Sequence, residues 1–127
     1  MQTLVIGLGS MGFGAAVSCF RNGISTIGFD LNPDALERFK TAGGQTVKSL
    51  DSITNVDCVL IFVVNASQAE SVLFESQLLS GLNPTAVIIN CVTLAPSKAI
   101  EIASRITNRG FQYIDCLLYT SPSPRDP

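Results

Sequence analysis

Six residues near the start of the chain limit its fold more than any other feature. The run Gly7-Leu8-Gly9-Ser10-Met11-Gly12 is a G-x-G-x-x-G that follows an apolar stretch, Thr3–Ile6, and opens a segment with helical spacing, Met11–Asn22, ahead of a second apolar stretch at Thr26–Phe29. Strand, glycine turn, helix and strand in that order form the setting in which such a run binds a dinucleotide. Gly7 allows the tight turn, Gly9 lets backbone approach a pyrophosphate, and Gly12 lets the helix lie close on the strand. The amides of Ser10 and Met11 then face phosphate, and the helix N-terminus supplies about half a positive charge without any lysine. Asp30 closes the second stretch 23 residues after Gly7, where a carboxylate can accept hydrogen bonds from ribose hydroxyls. That carboxylate repels a 2′-phosphate, and neither Leu31 nor Asn32 is an arginine, so the cofactor read from these residues is NAD rather than NADP.

The rest of the chain repeats the alternation. Further strand-like runs fall at Asp57–Val64, Ala86–Cys91 and Tyr113–Asp115, with a weaker one near Gln45–Val47, and helical spacing recurs at Pro33–Ala42, Ser67–Phe74 and Pro96–Asn108. Pro33 and Pro96 suit first-turn positions, where a missing N–H costs nothing. Short connections and right-handed crossovers then predict an α/β fold, a Rossmann-type doubly wound parallel sheet of about six strands with helices on both faces. Ligands of such sheets sit beyond the carboxyl ends of the strands, which brings Asn65 and Thr93 forward as further cofactor contacts; each could instead cap the helix that comes after it.

Composition narrows the partners. The 127 residues are 46% hydrophobic and 14% charged, which suits a sheet covered on both sides. A net charge of −2, with no basic stripe, argues against nucleic acid and anionic lipid. No apolar run is long enough to span a membrane, and Met1 leads at once into the first strand with no room for a secretory signal, so a cytoplasmic location is expected. Cys19, Cys58, Cys91 and Cys116 show no C-x-x-C spacing and there is no histidine, so neither zinc nor a disulfide framework is expected, and the first three cysteines read as core. Lys40, Lys48 and Lys98 read as solvated charges.

The last twelve residues break with this pattern and hold three of the six prolines. The string from Cys116 to Asp126 resembles the translation of a transposase sequencing adapter. Residues 1–115 are therefore read as the domain, residues 116–127 as disordered and non-biological, and the gene is expected to continue beyond Asp115.

With these residues in view, the chain resembles the β-hydroxyacid dehydrogenase family, which includes 3-hydroxyisobutyrate, tartronate semialdehyde, L-threonate and 6-phosphogluconate dehydrogenases. The resemblance spans nearly all of residues 1–115 and is carried by Val5 to Gly12, by Gly28-Phe29-Asp30-Leu31-Asn32 and by Cys91-Val92-Thr93-Leu94-Ala95-Pro96. Val63-Val64-Asn65-Ala66-Ser67-Gln68, with Val72-Leu73-Phe74 beyond it, looks most like the L-threonate branch, whose members act on four-carbon acid sugars. The resemblance implies that Val64, Asn65 and Thr93 line the NAD site, with Asn32 beside Asp30, and that substrate approaches near Val92 and Thr93. Val92 departs from the serine that usually helps to hold the substrate carboxylate. Asp115 matches the start of the family's substrate loop. The remainder of that loop, the catalytic lysine and the helical domain that builds a homo-oligomer have no counterpart in residues 1–127, so no catalytic residue is assigned.

The parent enzyme is thus expected to transfer hydride reversibly between a hydroxy acid and the nicotinamide ring, while residues 1–115 bind cofactor and are catalytically incomplete. Specificity of the 3-hydroxyisobutyrate or tartronate semialdehyde type, a nucleotide-sensing module without redox chemistry, and a methyltransferase with a related glycine loop are the competing readings.

Overall fold

In the computed structural model, which describes residues 1–63, 65–91 and 94–115, six strands form one parallel sheet. The strands are β1 (Gln2–Ile6), β2 (Ser25–Phe29), β3 (Gln45–Thr46), β4 (Val56–Ile61), β5 (Leu82–Asn90) and β6 (Gln112–Asp115). Their spatial order is β3-β2-β1-β4-β5-β6, so the winding reverses between β1 and β4 and leaves a crevice at their carboxyl ends. Four helices connect them: α1 (Ser10–Arg21), α2 (Pro33–Thr41), α3 (Ala66–Phe74) and α4 (Pro96–Asn108). Short 3-10 turns at Leu50–Ser52 and Leu78–Gly81, which the sequence pattern does not announce, precede β4 and β5.

Alternation along the strands divides the core in two. Val5 and Leu8 meet Ala16 and Val17 of α1 and Ala35 and Phe39 of α2 on one face. Leu4, Ile6, Val59, Ile61 and Ile88 meet Leu73 of α3 and Ile102 and Ile106 of α4 on the other. Both prolines stand at helix starts, and Asn32 caps α2 by accepting from the Asp34 amide at 2.9 Å.

Strand β4 ends at Ile61 rather than Val64, and further details depart from the pattern read in the sequence. Strand β5 starts at Leu82 rather than Ala86, because Leu82 pairs with Val56 across an irregularity that accommodates Asn83-Pro84-Thr85; proline within a strand belongs at such a place. Cys19, Cys58 and Cys91 are of intermediate exposure rather than core residues, with the Cys58 thiol pushed up by burial. Lys98 is not merely solvated: it lies 3.3 Å from both Glu70 and Glu101, while Arg105 reaches Glu70 at 3.7 Å and stacks over Phe74, so charged groups tie α3 to α4. At the amino end of the sheet, Asp57 accepts from the Gln2 amide at 2.8 Å and from Asn83 Nδ2 at 2.6 Å, and these bonds hold its carboxyl below the usual range.

Candidate functional site

The glycine run turns the chain from β1 into α1 at the crevice. Gly7 has a φ of +95°, its amide donates to the Phe29 carbonyl at 2.8 Å, and a Cβ there would lie 2.6 Å from the Phe62 carbonyl oxygen. Gly12 is tighter still: a Cβ would fall on the carbonyl oxygen of Gly7. Gly9 differs from both. It is the N-cap of α1, it makes no side-chain cap, and among the described residues nothing lies within 4 Å of where its Cβ would be. Two of the three glycines are therefore required by packing within the chain, whereas the third leaves a gap at the mouth of a helix. Gap and helix terminus together fit a diphosphate: close backbone approach, amides of the first turn not claimed by a side-chain cap, and the positive end of the helix dipole.

Beside this gap stands Asp30. Its Oδ2 accepts from the Leu8 amide at 2.6 Å and its Oδ1 from the Asn32 amide at 2.8 Å, so the carboxylate latches the glycine loop to the end of β2. Each oxygen keeps acceptor capacity for a further donor.

Gly7, Gly9 and Asp30 line one cleft of about 520 Å³ with Leu31, Lys48 and Asp51. Phe62 and Val63 at the end of β4, and Gln68, Ser71 and Glu75 on α3, complete its wall. Lys48, Ser49 and Asp51 were not expected there, and Lys48, read as a plain solvated charge, is an exposed residue that lines this wall. The signal that could have found them is positional: they come directly after β3, and the carboxyl end of any strand in such a sheet borders the crevice. The acids Asp30, Asp51 and Glu75 outnumber the one cation, Lys48, among the described residues of the lining.

The other candidate residues are distributed differently. Leu8 is fully buried in the core under α2, and its amide is taken by Asp30. Ser10 and Met11 are exposed on the first turn of α1 and Gly12 is buried beneath it. Asn32 and Asn65 are both helix caps, Asn65 accepting from the Gln68 amide at 2.9 Å, so the capping alternative holds for Asn65 whatever else it touches. Val64, Val92, Thr93 and the tail 116–127 lie outside the described residues. Among the described residues no group of acids, cysteines or histidines could hold a metal ion, and no helix is long and apolar enough to cross a membrane.

A six-stranded parallel sheet with a glycine turn and an acid at the carboxyl ends of β1 and β2 defines a dinucleotide-binding domain, and comparison with known proteins makes the class specific. The sequence model of the family described as the NAD binding domain of 6-phosphogluconate dehydrogenase matches residues 2–117, and the chain belongs to that family. It is 44% identical over 114 residues to the L-threonate dehydrogenase of Haemophilus influenzae, covering 87% of this chain and 38% of that protein. It is 28% identical over 116 residues to the NAD-dependent L-serine dehydrogenase of Pseudomonas aeruginosa, covering 90% of this chain and 39% of that one. Among solved structures, the 3-hydroxyisobutyrate dehydrogenase from Salmonella typhimurium superposes with a TM-score of 0.82 at 36% identity, over 89% of this chain and 40% of that one. The chain thus spans about two fifths of the length of the relatives it matches.

Proposed function

We propose that the chain is the cofactor-binding part of an NAD-dependent dehydrogenase that acts on a hydroxy acid, with a four-carbon acid sugar such as L-threonate as substrate. The observation that carries the cofactor site is the pairing of an open Gly9 with a latched Asp30 in one cleft. In this reading the amides of Ser10 and Met11 bind the diphosphate, Gly9 gives it room, Gly7 and Gly12 shape the turn and the close helix that present those amides, and Asp30 accepts from the adenosine ribose. Leu8 and Asn32 hold Asp30 in place through their amides. Val64, Asn65 and Thr93 are further cofactor contacts in this reading. The excess of acids around the cleft favours NAD over NADP, whose extra phosphate they would repel. The identity with L-threonate dehydrogenases supports the substrate class.

Bound at this site, NAD would supply the hydride acceptor for oxidation of the hydroxyl carbon. The residues of this chain bind and orient the cofactor; in the intact parent, a lysine beyond residue 115 manages the hydroxyl proton and a helical domain builds the homo-oligomer. Residues 1–115 are the domain in this reading, residues 116–127 are adapter read-through, and the parent is cytoplasmic.

Titration calorimetry of the 127-residue chain with NAD and NADP tests the reading. Tighter binding of NAD, lost in Gly9→Ala while the circular dichroism spectrum is unchanged, is the expected result. A folded chain that binds neither nucleotide overturns it, as does Gly9→Ala binding with undiminished affinity. The chain alone is expected to show no NAD-dependent oxidation of L-threonate, and measurable turnover would refute its catalytic incompleteness.

A further inference from the structure

The carboxyl edge of the sheet presents its polar groups in strand order. Asp30 comes after β2, the glycine run after β1, Asn65 after β4, and Asn90 ends β5. With strands about 4.8 Å apart, β2 and β5 are separated by three spacings, or about 14 Å. A dinucleotide with its adenosine ribose at Asp30 and its diphosphate at Gly9 has its second nucleoside directed along that edge toward β4 and β5. At that end of the edge three side chains are linked by hydrogen bonds. Asn90 is wholly buried, and its Nδ2 donates to the Tyr113 hydroxyl at 2.8 Å. The same hydroxyl donates to Asp115 Oδ1 at 3.1 Å. Asn90 and Asp115 stand opposite each other in the β5–β6 register, and the next residue after Asn90, Cys91, makes the bond to the Ile61 carbonyl, at 2.9 Å, from which the chain departs for α4.

We infer that Tyr113 is a positioning residue for the nicotinamide half of the cofactor: held between Asn90 and Asp115, it ties the last strand to the end of β5 and holds Asn90 at the carboxyl edge of the sheet. The inference rests on the cofactor reading above. The hydroxyl is suited to the task because it accepts one bond and donates the other, and burial pushes its ionisation up to about 12, so the donated proton is present at any physiological pH. Its ring packs against the α3–α4 core, so phenylalanine keeps the packing and deletes both bonds.

The test compares NAD with ADP-ribose, which carries the adenosine and diphosphate but no nicotinamide, on the 127-residue chain and its Tyr113→Phe variant by calorimetry. Loss of these two hydrogen bonds, which act on one end of the site, is expected to weaken NAD about 3- to 10-fold. ADP-ribose affinity is expected to stay within about twofold, a split that a general loss of stability would not produce. Equal weakening of both ligands in Tyr113→Phe reduces the residue to a structural role and overturns the inference, and so does no change in either. A parent chain that binds neither ligand removes the cofactor reading itself, and the role of Tyr113 falls with it.

Discussion

The two faces of the sheet are packed by opposite means. On the α3–α4 face, the row Leu4, Val59 and Ile88 is fully buried under large side chains, and contact is made by adding bulk. On the α1–α2 face, contact is made by removing it. A Cβ at Gly28 would lie 2.8 Å from Phe39, one at Gly44 would overlap the Phe39 ring, and Gly12 lies directly on Gly7. Across that face the row Gly28, Val5, Leu60, Ile89 and Ile114 runs from buried at β1 and β2 to 50% exposed at β6. The difference shows where the nucleotide loop makes its demands: the helices that serve it must approach the sheet closely, and they do so only over its first half.

Four substitutions and one titration can break or sharpen this contrast. Gly12→Ala is expected to have the largest effect, about 3 kcal/mol or more, because the obstacle is a backbone oxygen that cannot turn aside; urea denaturation measures it, and a loss below about 1 kcal/mol would break the contrast. Ile88→Ala and Ile89→Ala compare neighbours on opposite faces: about 3 kcal/mol is expected for the buried one and about 1 kcal/mol for its partly exposed neighbour. Equal losses would mean that β5 is covered alike on both sides. Gly9→Ala belongs to the glycine face but meets nothing among the described residues, so less than about 1 kcal/mol of stability should be lost even as NAD binding disappears.

The smallest effect concerns pH. Because the half-buried Tyr113 phenol ionises near 12 instead of near 10, the fold favours its protonated form. That contribution is present in full below pH 10 and is lost as the pH rises through about 12. Stability of the parent chain, tracked by urea midpoint, should therefore fall more steeply above pH 10 than that of Tyr113→Phe. Parallel slopes would show that the phenol is not held protonated by the fold.

The same contrast explains what the sequence discloses. Helix α4 is read to its terminal residues, since Pro96 marks its first turn and the spacing of Ile102 and Ile106 marks its buried face. The glycine run reveals its turn for the same local reason. What stays hidden depends on pairing at a distance. The start of β5 needs the Leu82–Val56 bridge, the place of Lys48 and Asp51 in the cleft needs β3 beside β2, and the Asn90–Tyr113–Asp115 chain needs the β5–β6 register. Nor does the sequence tell the glycines apart: Gly9 and Gly12 are alike as letters, and only the surroundings make one an opening for a ligand and the other a contact with the chain itself.

The latch at Asp30 has a consequence for how that position can vary. Its carboxylate meets two N–H groups, one on each oxygen. An asparagine there could accept from only one of them, and its own NH2 group would face the other, donor against donor. The acid is thus demanded by the loop before any nucleotide arrives, and its rotamer is set when the chain folds, so ribose recognition need not immobilise it. A domain of this build that had lost its ligand would still be expected to keep the aspartate, while nothing in its packing would oblige it to keep Gly9.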